Sequence, residues 1–489
     1  MRSSGILMHI SSLPSKYGIG TLGRAAYDFV DFLSESKQKY WQVLPVNPTS
    51  FGDSPYQSPS AFAGNPYFID LDILKEEGLI EQHEIDNYFF GDDEKTIDYA
   101  RLFETRYPIL RTAFGRYKKD DDFYKFINDN KDWLDDYAFY MSVKEEFHYV
   151  EWTKWDRDIR MRTPDAVEQY RGRLHRNIEF YQFIQYMFFR QWNKLKKYAN
   201  GKGIHIIGDM PIYVALDSAE VWTTGKYFML DEEKLPVKVA GCPPDAFALK
   251  GQLWGNPIYN WDEMEKDNYS WWIKRIKYSL QMFDMVRIDH FRGFESYYTI
   301  KYGYEDAVKG EWEKGPGMKL FNAVKNALGD TSIIAEDLGF LTPEVYKLLA
   351  DCGYPGMKVL QFGFDPYGDS EYLPHNYVKN CIAYTGTHDN DTTFGWISEA
   401  DSAQKEFALK YVNTDNEDDF ALSAVKSLMQ SCADTVIIPI QDYLNLGSEA
   451  RMNVPSVVGG NWLFRITSEC LDKKLAEKIA DITRTYKRG

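Results

Sequence analysis

Three short segments decide the fold: Met285-Val286-Arg287-Ile288-Asp289-His290, Ser332-Ile333-Ile334-Ala335-Glu336-Asp337 and Ile382-Ala383-Tyr384-Thr385-Gly386-Thr387-His388-Asp389. Each segment is an apolar run that ends in a carboxylate. A parallel β/α barrel carries its chemistry at the carboxyl ends of buried strands, which is where these acids stand. Two acids that face each other across a sugar are what the cleavage of a glycosidic bond requires.

Similar apolar runs recur along the chain and alternate with amphipathic helical stretches. The predicted strands are 6–11, 40–46, 204–210, 285–289, 332–336, 357–362, 382–387 and 435–441. The predicted helices between them include 25–36, 181–198, 269–283, 319–328, 342–351 and 418–430. Continuous apolar runs are typical of a parallel sheet that is covered on both faces. The pattern predicts an α/β fold, a (β/α)8 TIM barrel, with a doubly wound open sheet as the alternative.

Two stretches are too long to be ordinary connections. The one between residues 46 and 204 predicts an inserted helical subdomain at 73–165, which leaves 1–72 and 166–489 for the barrel. The other, at about 215–260, contains Gly241-Cys242-Pro243-Pro244-Asp245-Ala246-Phe247 and Gly251-Gln252-Leu253-Trp254-Gly255-Asn256-Pro257. Its glycine and proline content predicts irregular lid loops.

Composition restricts the ligand and the compartment. The net charge of −16 argues against nucleic acid or an anionic membrane as the main partner, because both need basic patches. Aromatic residues make up 16% of the chain, which suits a neutral sugar, although most single aromatics are expected in the core. The five cysteines form no CxxC pair, and no stretch has the length of a signal peptide or a membrane helix. We therefore expect reduced thiols and a cytoplasmic protein.

The segment Gly18-Ile19-Gly20-Thr21-Leu22-Gly23 matches the GxGxxG fingerprint of dinucleotide-binding proteins. The context differs, because six residues separate the preceding strand from the first glycine, and the next strand ends without the acid that would hold a ribose. The sequence therefore predicts a glycine loop at the barrel mouth and no cofactor.

The strand-end residues suggest particular roles. Arg287 and Asp289 lie two apart in a strand and so share a face, where the guanidinium keeps the acid ionised, although a buried ion pair without chemistry explains them equally well. Glu336 is flanked by apolar residues and could stay protonated as a general acid, whereas Asp337 suits the cap of the next helix. Asp209, which ends the third strand, could bind sugar hydroxyls. A divalent cation at Asp289-His290 and His388-Asp389 is disfavoured by the arginines beside the first pair.

With these residues the chain resembles the amylomaltases, the 4-α-glucanotransferase (disproportionating enzyme) family allied to the α-amylases. The resemblance runs from Ile6 to about Trp462. Its motifs are Ser54-Pro55-Tyr56-Gln57-Ser58, Gly208-Asp209-Met210-Pro211-Ile212-Tyr213-Val214-Ala215, Pro243-Pro244-Asp245, Gly255-Asn256-Pro257, Arg287-Ile288-Asp289-His290-Phe291-Arg292-Gly293, Ala335-Glu336-Asp337-Leu338-Gly339 and Thr387-His388-Asp389-Asn390.

The resemblance implies a role for each motif residue. Asp289 is expected to be the nucleophile, Glu336 the general acid and base, and Asp389 the group that stabilises the distorted sugar. The expected donor-sugar ligands are Arg287, His388, Asp209, Ser54 and Tyr56. The family also implies that Trp254 lies in a loop that covers the glucan and that Asn461 reaches the site from the last barrel segment.

The implied reaction is a retaining double displacement that transfers α-1,4-glucan segments between malto-oligosaccharides through a covalent glucosyl-enzyme. Retention predicts carboxyl groups about 5–5.5 Å apart. An α-1,4-glucan hydrolase of the same barrel class and a non-catalytic glucan-binding protein are the alternatives. The sequence leaves open the chain length, the formation of cyclic glucans, the oligomeric state and whether maltose or glycogen metabolism supplies the glucan.

Overall fold

The computed structural model describes residues 2–244 and 248–489. The strands are β1 (Ser3–Leu7), β2 (Tyr40–Gln42), β3 (His205–Met210), β4 (Lys238–Cys242), β5 (Gln252–Pro257), β6 (Met285–Ile288), β7 (Ser296–Lys301), β8 (Gly310–Lys314), β9 (Ile333–Ala335), β10 (Gly356–Val359), β11 (Cys381–Tyr384) and β12 (Thr435–Pro439). The helices of the first half are α1 (Arg24–Glu35), α2 (Leu71–Glu76), α3 (Gln82–Asp86), α4 (Tyr99–Arg116), α5 (Asp121–Asp129), α6 (Lys131–Glu146), α7 (Arg157–Arg160), α8 (Pro164–Arg173), α9 (His175–Gly201) and α10 (Ala219–Thr223). Those of the second half are α11 (Trp261–Lys266), α12 (Ser270–Met282), α13 (Met318–Leu328), α14 (Pro343–Cys352), α15 (Thr393–Glu399), α16 (Ser402–Tyr411), α17 (Phe420–Gln430), α18 (Ile440–Tyr443) and α19 (Lys473–Thr485).

A parallel eight-stranded sheet, in the order β10-β11-β12-β1-β2-β3-β6-β9, forms the barrel wall. These are the eight strands that the apolar runs predicted, and the TIM-barrel prediction is confirmed. Strands β9, β10, β11 and β12 are buried at every position, as expected for strands with helices outside and side chains inside. The carboxyl ends of these strands therefore meet at one mouth.

The seam between β9 and β10 is closed by two contacts instead of a regular ladder. The Ala335 amide donates to the Pro355 carbonyl at 2.9 Å, and the Met357 amide donates to Asp337 Oδ1 at 2.6 Å. The expectation that Asp337 caps the next helix is wrong, because its buried carboxylate instead accepts this hydrogen bond from the Met357 amide at the seam. A Cβ at Gly356 would overlap that carboxylate, so the seam also needs a glycine there.

The helices from α2 to α9 lie in the long connection between β2 and β3. Helix α6 packs along α9, and the barrel residue Asp217 accepts hydrogen bonds from Tyr140 and Lys144 of α6. One continuous apolar core includes both barrel and inserted side chains. The boundaries inferred from the sequence, 72/73 and 165/166, fall inside α2 and α8, and the division into subdomains stays a prediction.

The segment 215–260 has more regular structure than the irregular lid that its glycines and prolines predict. Strands β4 and β5 form a hairpin that pairs with β7, in an antiparallel sheet of order β5-β4-β7-β8. The glycines permit this arrangement: a Cβ at Gly241 would overlap the facing Gln252 carbonyl, and Gly251 has a φ of 65°. Residues 245–247 of the lid, including Asp245, lie outside the described residues.

The glycines of the GxGxxG segment serve packing. Gly23 precedes α1, and a Cβ there would overlap the carboxylate of Asp70, which accepts a hydrogen bond from Thr21. A protein carboxylate therefore lies beside the first turn of α1, where a nucleotide phosphate would otherwise bind.

Within the described ranges, every helix is too short or too polar to span a lipid bilayer.

Candidate active site

A buried arginine joins two carboxylates at the mouth of the barrel. Arg287, on β6, donates from Nη1 to Asp209 Oδ2 at 2.6 Å and from Nη2 to Asp289 Oδ1 at 2.9 Å. The Asp209 side chain is 0% exposed, whereas that of Asp289 is 28% exposed. Burial raises the pKa of Asp209, and the guanidinium of Arg287 opposes that shift. Of these two acids, only Asp289 presents its carboxylate to an incoming ligand.

Glu336 follows β9 and is held by backbone amides on both sides. Its Oε2 accepts from the amide of His290 at 2.6 Å, and its Oε1 accepts from the amide of Leu338 at 3.1 Å. His290 has a φ of 49°, a left-handed conformation that turns its amide toward Glu336. Burial and the charge of Asp289 raise the pKa of Glu336 to about 8. The acid therefore keeps its proton at neutral pH.

Asp389 follows β11 and is held from the C-terminal part of the chain. Its Oδ1 accepts from Asn453 Nδ2 at 2.6 Å, and its backbone carbonyl accepts from Arg451 Nη2 at 2.6 Å. His388 Nε2 lies 3.3 Å from Asp389 Oδ2. The carboxylate is thus oriented from two directions and remains partly exposed.

Tyr56 connects these groups across the mouth. Its hydroxyl donates to Asp209 Oδ2 at 3.0 Å, and its ring stacks on His388 with centroids 5.2 Å apart. A continuous path of contacts therefore runs from Asp289 through Arg287, Asp209, Tyr56 and His388 to Asp389. Glu336 joins the group through His290, the residue that follows Asp289, because the His290 amide donates to Glu336 Oε2. The structure brings the three predicted catalytic acids to one mouth.

The lid reaches the same place. The ring of Trp254, on β5, meets that of His290 edge to face, with centroids 4.8 Å apart. Gln57 Nε2 donates to the Trp254 carbonyl at 3.4 Å, which joins the lid to the segment that carries Tyr56. Burial lowers the pKa of His290 to about 4, so this imidazole is neutral beneath the tryptophan. Trp254 therefore lies beside the candidate acids.

Two of the predicted sugar ligands, Ser54 and Asn461, form side-chain hydrogen bonds within their own loops. Ser54 Oγ accepts from the amide of Tyr56 at 3.2 Å. The amide oxygen of Asn461 accepts from Val454 N, and its nitrogen donates to the carbonyls of Val454 and Val457. Their binding of sugar stays a prediction.

Sequence reasoning missed four residues that the fold brings to the site. Trp462 lies 5.7 Å from the Tyr56 ring and 5.8 Å from that of His388, while Asn453 and Arg451 hold Asp389. These three follow β12 in an irregular segment with no apolar periodicity to mark it. His290 was considered only as a metal ligand. Its position directly after Asp289 was the one signal that could have identified it.

The geometry agrees with what comparison with known proteins finds. A family model described as 4-alpha-glucanotransferase, of glycoside hydrolase family 77, matches residues 8–471. The chain belongs to this family. It is 51% identical over 485 residues to a 4-alpha-glucanotransferase of Clostridium butyricum, covering 98% of this chain and 100% of the relative. It is 50% identical over 492 residues to one of Streptococcus pneumoniae, covering 100% of this chain and 97% of the relative.

A solved structure extends the similarity to three dimensions. The amylomaltase from Streptococcus agalactiae in complex with acarbose has a TM-score of 0.98 and 45% identity, and the alignment covers 100% of both chains. At this level of identity over the full length, the chain is a 4-α-glucanotransferase with amylomaltase activity. The predicted family and activity are confirmed.

Proposed function

We propose that this site transfers α-1,4-glucan segments by double displacement with retention, with Asp289 as the nucleophile. Asp289 attacks the anomeric carbon of the donor glucose while the bond to the leaving oxygen breaks, and a covalent glucosyl-enzyme forms. The observation that carries the proposal is the shared guanidinium: Arg287 binds both the buried Asp209 and the accessible Asp289. The guanidinium places a positive charge beside Asp289 and orients its carboxylate.

Glu336 is the proposed general acid and base. With a pKa of about 8 it holds a proton at neutral pH and donates it to the leaving glycosidic oxygen. After that transfer the carboxylate removes a proton from the hydroxyl group of the acceptor glucan. The acceptor oxygen attacks the anomeric carbon as the bond from that carbon to Asp289 breaks, which frees the Asp289 carboxylate and restores the original configuration. The two backbone amides on Glu336 stabilise its charged form during this step. The proposal predicts Asp289 and Glu336 carboxyl groups about 5–5.5 Å apart in a sugar complex.

The other predicted residues hold the donor sugar in this proposal. Asp389 and His388 bind its hydroxyls and stabilise the oxocarbenium-like transition state, while Tyr56 supports His388 by stacking. Arg287 also orients Asp289. Asp209 contributes to sugar binding through Arg287 and the Tyr56 hydroxyl, because its carboxylate accepts a hydrogen bond from each of them. Trp254 covers the glucan, and Ser54 and Asn461 line the walls.

Transfer instead of hydrolysis requires that acceptor sugar outcompete water at the glucosyl-enzyme. The contact of Trp254 with His290 supports a lid that shields this intermediate. The donor and acceptor in this proposal are neutral malto-oligosaccharides or longer glucans, and the proposed compartment is the cytoplasm. A hydrolase of the same barrel class is the alternative, and product analysis separates the two.

The test is incubation with pure maltotriose, with products resolved by length. We expect the native enzyme to form longer chains together with glucose. Asp289→Asn should reduce the rate by about 10⁴-fold or more, because the nucleophile is lost. Trapping of a glucosyl-enzyme on Asp289, detected by mass spectrometry, would identify the covalent step.

The matched control is Asp284→Asn. Asp284 precedes the same strand at its opposite end, where its Oδ2 accepts from Ile206 N and Asn200 Nδ2, both at 2.8 Å. Asparagine keeps an acceptor oxygen there, so transfer should persist. Absence of longer products from the native enzyme would overturn the transferase mechanism, and full activity of Asp289→Asn would overturn the assignment of the nucleophile.

A further inference from the structure

The antiparallel sheet beside the barrel mouth carries a row of residues on one face. Trp312 on β8 lies opposite Tyr298 on β7, Tyr298 lies opposite Gly241 on β4, and Gly241 lies opposite Leu253 on β5. Directly opposed residues of neighbouring strands point to the same side of a sheet. Tyr298 is buried in this row, whereas Trp312 and Leu253 at its two ends are exposed. The row therefore presents exposed apolar side chains at both ends of one face of this sheet.

Trp312 has the geometry of a fixed platform. The guanidinium carbon of Arg292 lies 4.0 Å from the centre of the Trp312 ring, and Tyr298 meets the ring edge to face at 5.4 Å. Arg292 is buried and also donates to Ser296 Oγ at 3.2 Å. The Trp312 side chain is nevertheless 45% exposed. Its contacts thus hold the indole in place and leave much of the ring open to a ligand.

The platform is continuous with the catalytic mouth. Arg292 comes three positions after Asp289 and also donates to the carbonyl of Phe340, in the loop that follows Glu336. The Phe340 side chain is 80% exposed. The amide of Leu338, in the same loop, donates to Glu336 Oε1. One buried arginine therefore links the Trp312 ring and the backbone of Phe340 to the segments that carry the two proposed catalytic carboxylates.

We propose that Trp312 and Phe340 form an outer subsite for a long α-glucan chain, on which glucose rings stack after they leave the catalytic mouth. This inference rests on the proposed function, because the ligand is the same neutral polymer. Sugar rings have apolar C–H faces that pack on aromatic rings, and a rigid ring loses little conformational freedom on binding. The direct link to the catalytic loops favours the glucan over an unrelated protein partner. Arg292 positions the subsite and does not touch the reacting atoms.

The experiment compares Trp312→Ala, Trp312→Phe and Phe340→Ala in the full chain. Transfer is measured with maltotriose as the short glucan and with amylose, whose chain is long enough to occupy the catalytic mouth and the outer subsite together. Trp312→Ala should raise the ratio of the KM for amylose to the KM for maltotriose by about 3- to 10-fold, the loss expected for one aromatic stacking contact. Trp312→Phe should restore most of it. Phe340→Ala should act in the same direction, and the exposure of that side chain makes a folding defect unexpected.

A binding readout keeps the inference separate from catalysis. Migration in native gels that contain amylose should be retarded for the native chain and for Asp289→Asn, and less retarded for Trp312→Ala. The matched control is Tyr124→Ala, an exposed aromatic on α5 in the inserted helices, which should change neither readout.

The outcomes separate the two proposals. If the native chain converts maltotriose while Trp312→Ala and Phe340→Ala match it on amylose, the outer subsite is overturned and the proposed function stands. If maltotriose is not converted, the proposed function fails, and the gel alone decides the subsite. If Trp312→Ala changes only the oligomeric state in solution, the face is an interface between copies, and the glucan proposal is overturned.

Discussion

The barrel mouth lies on one large apolar core, whereas the lid sheet contacts that core by one face and a small separate cluster by the other. Asp289, Glu336 and Asp389 follow strands of the large continuous core. Trp254 belongs to a sheet whose other face rests on a small separate cluster, made in the described residues of Val239, Tyr298, Ile300 and Ala307. Regions with few buried apolar contacts open at lower free energy than the global fold. We therefore expect the acids to be held more rigidly than the lid sheet that lies beside them.

The largest expected effect concerns the barrel acid with the raised pKa. Glu336→Gln should lower kcat by about 10²–10⁴-fold, since general acid and base catalysis is lost. In the native enzyme the proton on Glu336 is required, so activity should persist at neutral pH and fall as the pH rises through about 8. A pH–rate profile measures this alkaline limb, and a native profile without it would contradict the acid role.

The same carboxyl also affects stability. In the unfolded chain a glutamate loses its proton near its ordinary pKa of 4.5, whereas folded Glu336 holds its proton up to about 8. The folded state therefore binds more protons between these values, so the free energy of unfolding should fall as the pH rises through that window. Urea unfolding at about pH 5 and about pH 8 measures the slope, and Glu336→Gln should reduce it.

The next effect tests how strongly the barrel mouth depends on its central cation. Arg287→Met leaves Asp209 and Asp289 without their guanidinium, and removal of one partner from a buried ion pair costs about 3–5 kcal/mol of unfolding free energy. Transfer activity should fall as well, because Asp289 loses both its orientation and its counter-charge. Urea denaturation and maltotriose assays measure the two losses.

The control is Arg24→Met on the surface of α1. Arg24 pairs with Asp28 at 2.8 Å, but both side chains are exposed, so the change in unfolding free energy should stay within about 0.5 kcal/mol. Equal effects of the two substitutions would show that Arg287 is not the organising charge of the site.

A matched isoleucine pair tests the comparison of the two cores directly. Ile334 on β9 and Ile300 on β7 are both fully buried. Ile334→Ala should lower the global free energy of unfolding by about 2–5 kcal/mol, because it leaves a cavity in the barrel core. Ile300→Ala should chiefly make the lid sheet open locally, which limited proteolysis between residues 237 and 257 would detect. An equal global loss with no new cleavage would mean that the lid unfolds only together with the barrel.

The smallest effect concerns the product ratio. Trp254→Ala removes the ring that meets His290, so water should reach the glucosyl-enzyme more easily. We expect the ratio of hydrolysis to transfer on maltotriose to rise about fivefold, equivalent to about 1 kcal/mol in the difference between the two barriers. The control is Leu253→Ala, on the opposite face of the same strand, which should leave the ratio unchanged. An unchanged ratio for Trp254→Ala would remove the tryptophan from this role.

The eight barrel strands and the polar residues at their ends could be predicted from the sequence, because each strand is a continuous apolar run that stops at a polar residue. The antiparallel sheet could not be predicted, because β4 and β5 contain glycine, and because β4 pairs with β7, which is distant in the chain. Asp337 was misassigned for a related reason. Nothing local in Glu336-Asp337-Leu338 indicates that an amide of β10 needs an acceptor at the barrel seam.

By itself, the sequence determined the barrel and the carboxylates at its strand ends, since apolar periodicity and strand-end polarity are local properties of the chain. The catalytic roles of those carboxylates came from the family resemblance and stay predictions. Only the tertiary structure decided which amides hold Glu336, how Arg287 divides its charge between Asp209 and Asp289, and that Trp462, Asn453 and Arg451 line the site. These contacts join residues far apart in the chain. Hydrogen bonding, burial and the resulting pKa shifts depend on distances in space, which no local pattern encodes.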